Sequence, residues 1–182
     1  DDLSPQTVHQ AKRVLVDTLA CAMGGYLSEP AKIAIQLART ATSIYPCRIL
    51  GTKDSSSPDM AGFANAAMVR YLDYNDMSGG GHPSDSIAGD LAMADSLGSD
   101  GQAVITSIVV DYEVALRVSD HVAHTFHEGW DHGILRSLGA ACAAGKIMGL
   151  DQEQMSHAIS LAVVPNLPMG QTRVGELSMW KR

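Results

Sequence analysis

The stretch GQAVITSIVVDYEVALRVSDHVAH, residues 101–124, decides the fold. Its front half, Val104–Val110, is β-branched, and local propensity alone would make it a strand. The stretch is too long for that, and its later apolar residues recur at steps of three and four, the period of a buried helix. Asp100 stands immediately ahead as a helix cap. With this segment helical, its neighbours fall into line on both sides. SDSIAGDLAMADSLG precedes it and ends at Gly98, and HGILRSLGAACAAGKIMGL follows it, dense in the small residues that allow close helix approach. DQEQMSHAISLAVV carries Asp151 and Gln154 at the reciprocal positions of a capping box.

The front of the chain reads the same way. LSPQTVHQAKRVLVDTLACAMGG has Ser4 as N-cap, Pro5 in the first helical position and Gly24-Gly25 at its end. A second helix follows Ser28, with Ile33, Leu37 and Ala41 on one face. PCRILGTKDSSSPDM reads as a loop with a short extended piece at Arg48 to Leu50. Ser57 or Asp59 then caps a helix through MAGFANAAMVRYLD. The expectation is an all-α chain, a compact multi-helix domain of about seven mostly antiparallel helices.

Bulk properties narrow the function. The chain has 182 residues with 46% hydrophobic side chains, enough for one sizeable core. Its net charge is -7 and its Lys and Arg residues form no stripe, which argues against nucleic acid as a partner. Cys21, Cys47 and Cys142 are odd in number, far apart and without a CxxC. That spacing excludes a disulfide framework and an iron–sulfur cluster and suits reduced thiols in a cytoplasmic protein. Cys21 and Cys142 fall on apolar helical faces and read as core. DDLSPQTVHQAKRV is too polar for a signal peptide, and no apolar run approaches the ~20 residues of a membrane span. The ending ELSMWKR reads as a helix being started, so the chain is expected to be the front of a longer protein.

Chemistry concentrates at YLDYNDMSGGGHPSD, Tyr71 to Asp85, where a helix runs into acids, three glycines and a His-Pro pair. A carboxylate at the C-terminal end of a helix, such as Asp73, opposes the helix dipole and needs a compensating cation or donor. The same placement can raise its pKa, which suits proton transfer. Gly79, Gly80 and Gly81 permit backbone shapes closed to other residues. The plain alternative is a polar connecting loop.

Two further groups stand out. HVAHTFHEGWDH holds His121, His124, His127 and His132 at steps that put pairs on one face, although the pattern is not HExxH. A metal-binding helical module is therefore the competing class of function. His132 stands apart from the others, at the N-terminus of the Ala-rich helix, where a neutral imidazole is favoured and can act as a base. GQTRVGELSMWKR supplies Arg173, Lys181 and Arg182, the basic spot the acidic chain otherwise lacks. No nucleophile elbow, Walker loop or dinucleotide fingerprint occurs. A helical interaction domain without chemistry is the third possibility.

Taken in order, AKRVLVDTLACAMGG, RILGT, ANAAMVRYLDYND with HPSD, WDHGILRSLGAACAAGKIMGL and GQTRVGELSMWK resemble the MmgE/PrpD family along essentially the whole chain. That family includes 2-methylcitrate dehydratase, cis-aconitate decarboxylase and an iminodisuccinate epimerase. Its members are more than twice this long, with a large helical domain and a smaller α/β lid. The resemblance implies that residues 1–182 are the front part of the helical domain, with the lid beyond. It also implies an active site between the domains built from acid, histidine and lysine side chains.

Carried over by motif, the catalytic residues would be Asp73, His82, His132 and Lys181, with Ser84, Gln171 and Arg173 binding substrate. Met77 stands where the decarboxylase branch has a threonine, which disfavours cis-aconitate as substrate. The implied reaction is a hydro-lyase step on 2-methylcitrate or a related di- or tricarboxylate, begun by removing a proton next to a carboxylate. Histidines would act as acid and base, and Lys181 and Arg173 would hold substrate carboxylates. The scheme calls for no metal and no cofactor, and the family tends to form homodimers.

Overall fold

The computed structural model describes residues 3–78, 81–122, 129–131, 133–166 and 169. The elements in order are α1 (Pro5–Gly25), α2 (Glu29–Ala38), β1 (Cys47–Arg48), β2 (Ser55–Ser56), α3 (Pro58–Tyr71), a 3-10 turn (Pro83–Ser86), α4 (Ile87–Leu97), α5 (Gly101–Val122), α6 (Ile134–Met148) and α7 (Gln152–Val163). The all-α expectation holds. The two strands form a minimal antiparallel pair, Cys47 opposite Ser56 and Arg48 opposite Ser55. The extended piece thus starts one residue earlier than its sequence suggests, and Leu50 lies outside it.

The helix starts are set by local chemistry. The Ser4 hydroxyl accepts from the Thr7 N–H at 3.1 Å, Ser28 from Ala31 at 3.3 Å, and Asp100 from Ala103 at 2.9 Å. Asp151 and Gln154 form the full capping box, 2.9 Å and 3.1 Å in the two directions. Each such cap contributes about 1 kcal/mol. Gly98 and Gly149 end α4 and α6 in the left-handed conformation, with φ of 64° and 68°.

The β-branched front of α5 is helical because its partners bury it. Ile105, Ser107, Ile108, Asp111, Ala115 and Ser119 form the inward stripe, at the spacing of one helix face. Thr106 and Ser107 turn their hydroxyls back onto the carbonyls of Gln102 and Val104, at 2.9 Å and 2.8 Å, so neither needs a sheet partner.

Helix α3 lies at the centre of one half, packed on α1, α2 and α4, and α5 packs on α6, which also meets α4 and α7. The first core cluster is rich in alanine, with Ile35, Ile49, Met68 and Val69 among its larger members. A second, smaller cluster joins Ala11 of α1 to Ile87, Ile105 and Ile108. One expected face is wrong. Ile33 and Leu37 of α2 are exposed, and Ala41 lies beyond the helix; the buried stripe is Ala31, Ala34, Ile35 and Ala38. The small residues face inward because α2 lies close against α3. All three cysteines are buried and free, and burial foremost raises each thiol's pKa, Cys47 to about 11. Among the described residues, no helix is long and apolar enough to cross a membrane.

Candidate active site

Asp73 sits immediately past the end of α3, in the left-handed region at φ 53°, the only non-glycine residue there among those described. That position normally goes to glycine or asparagine. Holding aspartate in it costs on the order of 1 kcal/mol, and the helix dipole adds a further penalty. Arg70 supplies the compensation. Its guanidinium is almost fully buried, with Nη1 paired to Asp73 Oδ1 one turn away and Nε 3.3 Å from Asp85 Oδ1. One buried cation therefore bridges the two ends of the loop.

The residues between are fixed by side-chain hydrogen bonds. Asn75 Nδ2 donates to Ser84 Oγ at 2.8 Å and to Asp85 Oδ1 at 2.9 Å. Asp76 Oδ1 accepts from the Ser84 backbone N–H at 3.1 Å and also from the Ser84 hydroxyl. Asp76 Oδ2 accepts from the Tyr112 hydroxyl of α5 at 2.6 Å. Burial first, then the Asp76 charge, push the Tyr112 phenol far above its usual range, so its proton stays in place. Ser78 and Gly81 exchange two backbone hydrogen bonds, at 2.9 Å and 3.1 Å.

His82 precedes the 3-10 turn. Its Nδ1 lies 2.7 Å from the Asp76 carbonyl oxygen, and its Nε2 lies 3.4 Å from Asp73 Oδ1. Both neighbours are acceptors, and the carbonyl at 2.7 Å is much the nearer, so Nδ1 carries the hydrogen and Nε2 is the atom that can take or give a proton beside Asp73. The His82 side chain is 13% exposed and that of Asp73 54%, so the pair faces the surface from a rigid base.

Behind this network lies a second polar cluster at the junction of α4, α5 and α6. Asp90, Asp111 and Arg136 are buried; among the described residues the Ser107 hydroxyl stands by Asp90, the Ser86 hydroxyl by Asp111, and the Arg136 charge acts on Asp111. Burial foremost, and then the Asp111 charge, raise the Asp90 pKa well above the carboxylate range. Burial also raises Asp111 to about 7, against the opposing pull of Arg136. Gly139 of α6 lets the helices meet here, since a Cβ at that position would fall 2.0 Å from Asp111 Oδ1.

Of the residues singled out from sequence, the structure brings Asp73, His82 and Ser84 into one network. Ser84 is wholly buried, with its hydroxyl bonded to Asp76 and Asn75. His132, Lys181, Gln171 and Arg173 lie outside the described residues, as do His124 and His127. His121 Nδ1 donates to the Arg117 carbonyl at 2.7 Å, and the described residues hold no group of three potential metal ligands. Sequence reasoning missed Arg70, Asn75 and Tyr112. For Arg70 a signal existed: a lone cation on the apolar face of ANAAMVRYLD, three residues before Asp73.

Comparison with known proteins decides the affiliation. All of residues 1–182 match the MmgE/PrpD N-terminal domain. The chain belongs to the MmgE/PrpD family. It is 29% identical over 170 residues to the 2-methylcitrate dehydratase of Cupriavidus necator, covering 85% of this chain and 34% of that protein. It is 32% identical over 171 residues to the probable 2-methylcitrate dehydratase of Saccharomyces cerevisiae, covering 85% of this chain and 33% of that protein. It is 29% identical over 196 residues to the alkylcitrate dehydratase phiI of a fungal species, covering 96% and 38%. This MmgE/PrpD chain therefore spans about a third of the length of these relatives.

Proposed function

We propose that this chain contributes the front part of the helical domain of a hydro-lyase acting on 2-methylcitrate or a related di- or tricarboxylate. The supporting observation is the Asp73–His82 pair, with Nε2 held 3.4 Å from a carboxylate by a hydrogen bond on the other ring nitrogen. An imidazole with one nitrogen anchored and the other presented is equipped to exchange a proton with a bound molecule.

In this reading His82 Nε2 is one partner of an acid–base pair and His132 the other. One removes the proton next to a substrate carboxylate, and the other protonates the departing hydroxyl. Asp73 stands beside Nε2, where it favours a proton arriving there, and Arg70 balances its charge. Lys181, Gln171 and Arg173 hold the substrate carboxylates and stabilise the enolate-like charge that develops. Ser84 acts one step removed, by fixing Asp76. The relatives named 2-methylcitrate and alkylcitrate dehydratase suggest the substrate class.

The test uses the full-length protein with citrate-like substrates, following the ultraviolet absorbance of the unsaturated product. Activity should appear with 2-methylcitrate or a close analogue, and His82→Ala should lower turnover by about 10²-fold or more with the fold intact. Near-normal turnover in His82→Ala would remove it from the catalytic set.

A further inference from the structure

We propose that Tyr112 is a positioning residue that fixes the His82 imidazole through Asp76. Four hydrogen bonds converge on Asp76. Its carboxylate accepts from the Tyr112 hydroxyl at 2.6 Å, from the Ser84 N–H at 3.1 Å and from the Ser84 hydroxyl; its carbonyl accepts from His82 Nδ1 at 2.7 Å. Three of these partners belong to the loop or to the 3-10 turn that follows it. Tyr112 alone comes from outside, from the middle of α5, and is 36 residues away in sequence. It is therefore the link that refers the Asp76 carboxylate to α5, beside the 3.4 Å contact by which Arg70 ties Asn75 to α3.

The Asp76 carbonyl, at 2.7 Å, is the nearer of two carbonyls at His82 Nδ1, with that of Asn75 at 3.4 Å, and it sets the hydrogen there. With that carbonyl against Nδ1, the proton-exchanging position is Nε2, beside Asp73. Without the Tyr112 hydroxyl, Asp76 Oδ2 loses its anchor on α5 while both bonds to Ser84 persist. The carboxylate can then pivot about Ser84, and the carbonyl moves with it. The imidazole becomes free to adopt either tautomer, and part of the population presents the wrong nitrogen. The Tyr112 ring is half-buried against the second core cluster, so Tyr112→Phe keeps the packing and removes only the oxygen.

The measurement is the nitrogen–proton correlation pattern of the His82 ring in uniformly 15N-labelled protein, recorded well above the ordinary imidazole titration. The wild type should show a single tautomer with hydrogen on Nδ1, and Tyr112→Phe should show averaging of the two. Should Tyr112→Phe fail to fold, as judged by its thermal transition, Asp76→Asn breaks the same chain of contacts and should give the same averaging. A wild-type ring with hydrogen on Nε2 would overturn the proposal, as would a variant that folds and keeps the wild-type pattern.

The kinetic consequence rests on the hydro-lyase reading: Tyr112→Phe should lower kcat by about 10–100-fold at unchanged KM. The ring spectrum needs no substrate. An inactive wild type with the expected tautomer would therefore count against the reaction and not against the positioning role.

Discussion

Adding one methyl group at Gly139 tests the contact between α5 and α6. A Cβ there would lie 2.0 Å from Asp111 Oδ1, 3.0 Å from the Asp111 carbonyl oxygen and 3.1 Å from Ala115 Cβ. Ordinary contact is about 3.5 Å or more, so the carboxylate must retreat by about 1.5 Å. It has little room to do so, because it is fully buried beside Asp90 and Arg136. The other two contacts are with α5 backbone and with a methyl that has no rotamer, so α5 and α6 would have to separate. Overpacking of this kind costs about 1–3 kcal/mol, and the upper end applies where a buried ionisable group is displaced.

Helix propensity opposes this. Glycine to alanine inside a helix ordinarily stabilises by about 1 kcal/mol. The net expectation for Gly139→Ala is a loss of about 2 kcal/mol, or a fall in Tm of about 4–8 °C for a chain of this size. Gly89 is the matched control. It lies in α4 with helical backbone, and nothing stands within 4 Å of an added Cβ. Gly89→Ala should therefore raise Tm by about 2–4 °C. Thermal unfolding of both variants beside the wild type decides the matter. If Gly139→Ala melts at or above the wild-type temperature, α5 and α6 do not meet as described and the buried cluster needs redrawing.

Two further outcomes follow from the buried charges. Asp90 and Asp111 both have raised folded-state pKa values, so the folded chain holds protons that the unfolded chain releases above about pH 4. Their contribution to stability is complete below that pH and is lost as pH rises, for Asp111 through about 7; urea unfolding between pH 5 and 7 should show stability falling with pH, and Asp90→Asn should reduce that slope by one proton, about 1.4 kcal/mol per pH unit. Identical slopes in the two proteins would place the Asp90 proton elsewhere. Arg70→Met should destabilise by about 2 kcal/mol or more, because it strips the buried cation from Asp73 and Asp85 together; Arg70→Lys should recover only part of this, as one ammonium cannot reach both carboxylates, and full recovery in chemical denaturation would refute the bridging geometry.

Legibility from sequence follows the range of the interaction. Ser4, Asp100 and Asp151 could be placed as caps because each bonds an N–H within three residues of itself. The helical state of Val104–Val110 was legible from length and later spacing, although its propensity pointed the other way. The buried face of α2 was not legible. Period alone shows that a helix has stripes, and only the close approach of α3 selects Ala31, Ala34 and Ala38 over the larger Ile33 and Leu37. The same limit applied at the site. Asp73 and His82 announce themselves in a stretch that suits neither helix nor strand. Tyr112 and Asp76 are joined across 36 residues, and Asp90, Asp111 and Arg136 come from three different helices. No spacing rule connects such residues.

The described residues on either side of Gly79 and Gly80 are joined by many polar contacts. These contacts run from Arg70 to Asp85. Ser78 and Gly81 close on each other, Asn75 and Asp76 spend their side chains on Ser84, Asp85 and Tyr112, and Arg70 spans both ends. His82 Nδ1 is taken by the Asp76 carbonyl. What this leaves turned toward the surface is His82 Nε2 and the half-exposed Asp73 carboxylate, 3.4 Å apart. The unfavourable backbone at Asp73 is held by the same network through Arg70. Side chains tied to α3, α5 and the 3-10 turn in this way can hold one proton-exchanging nitrogen in a defined direction.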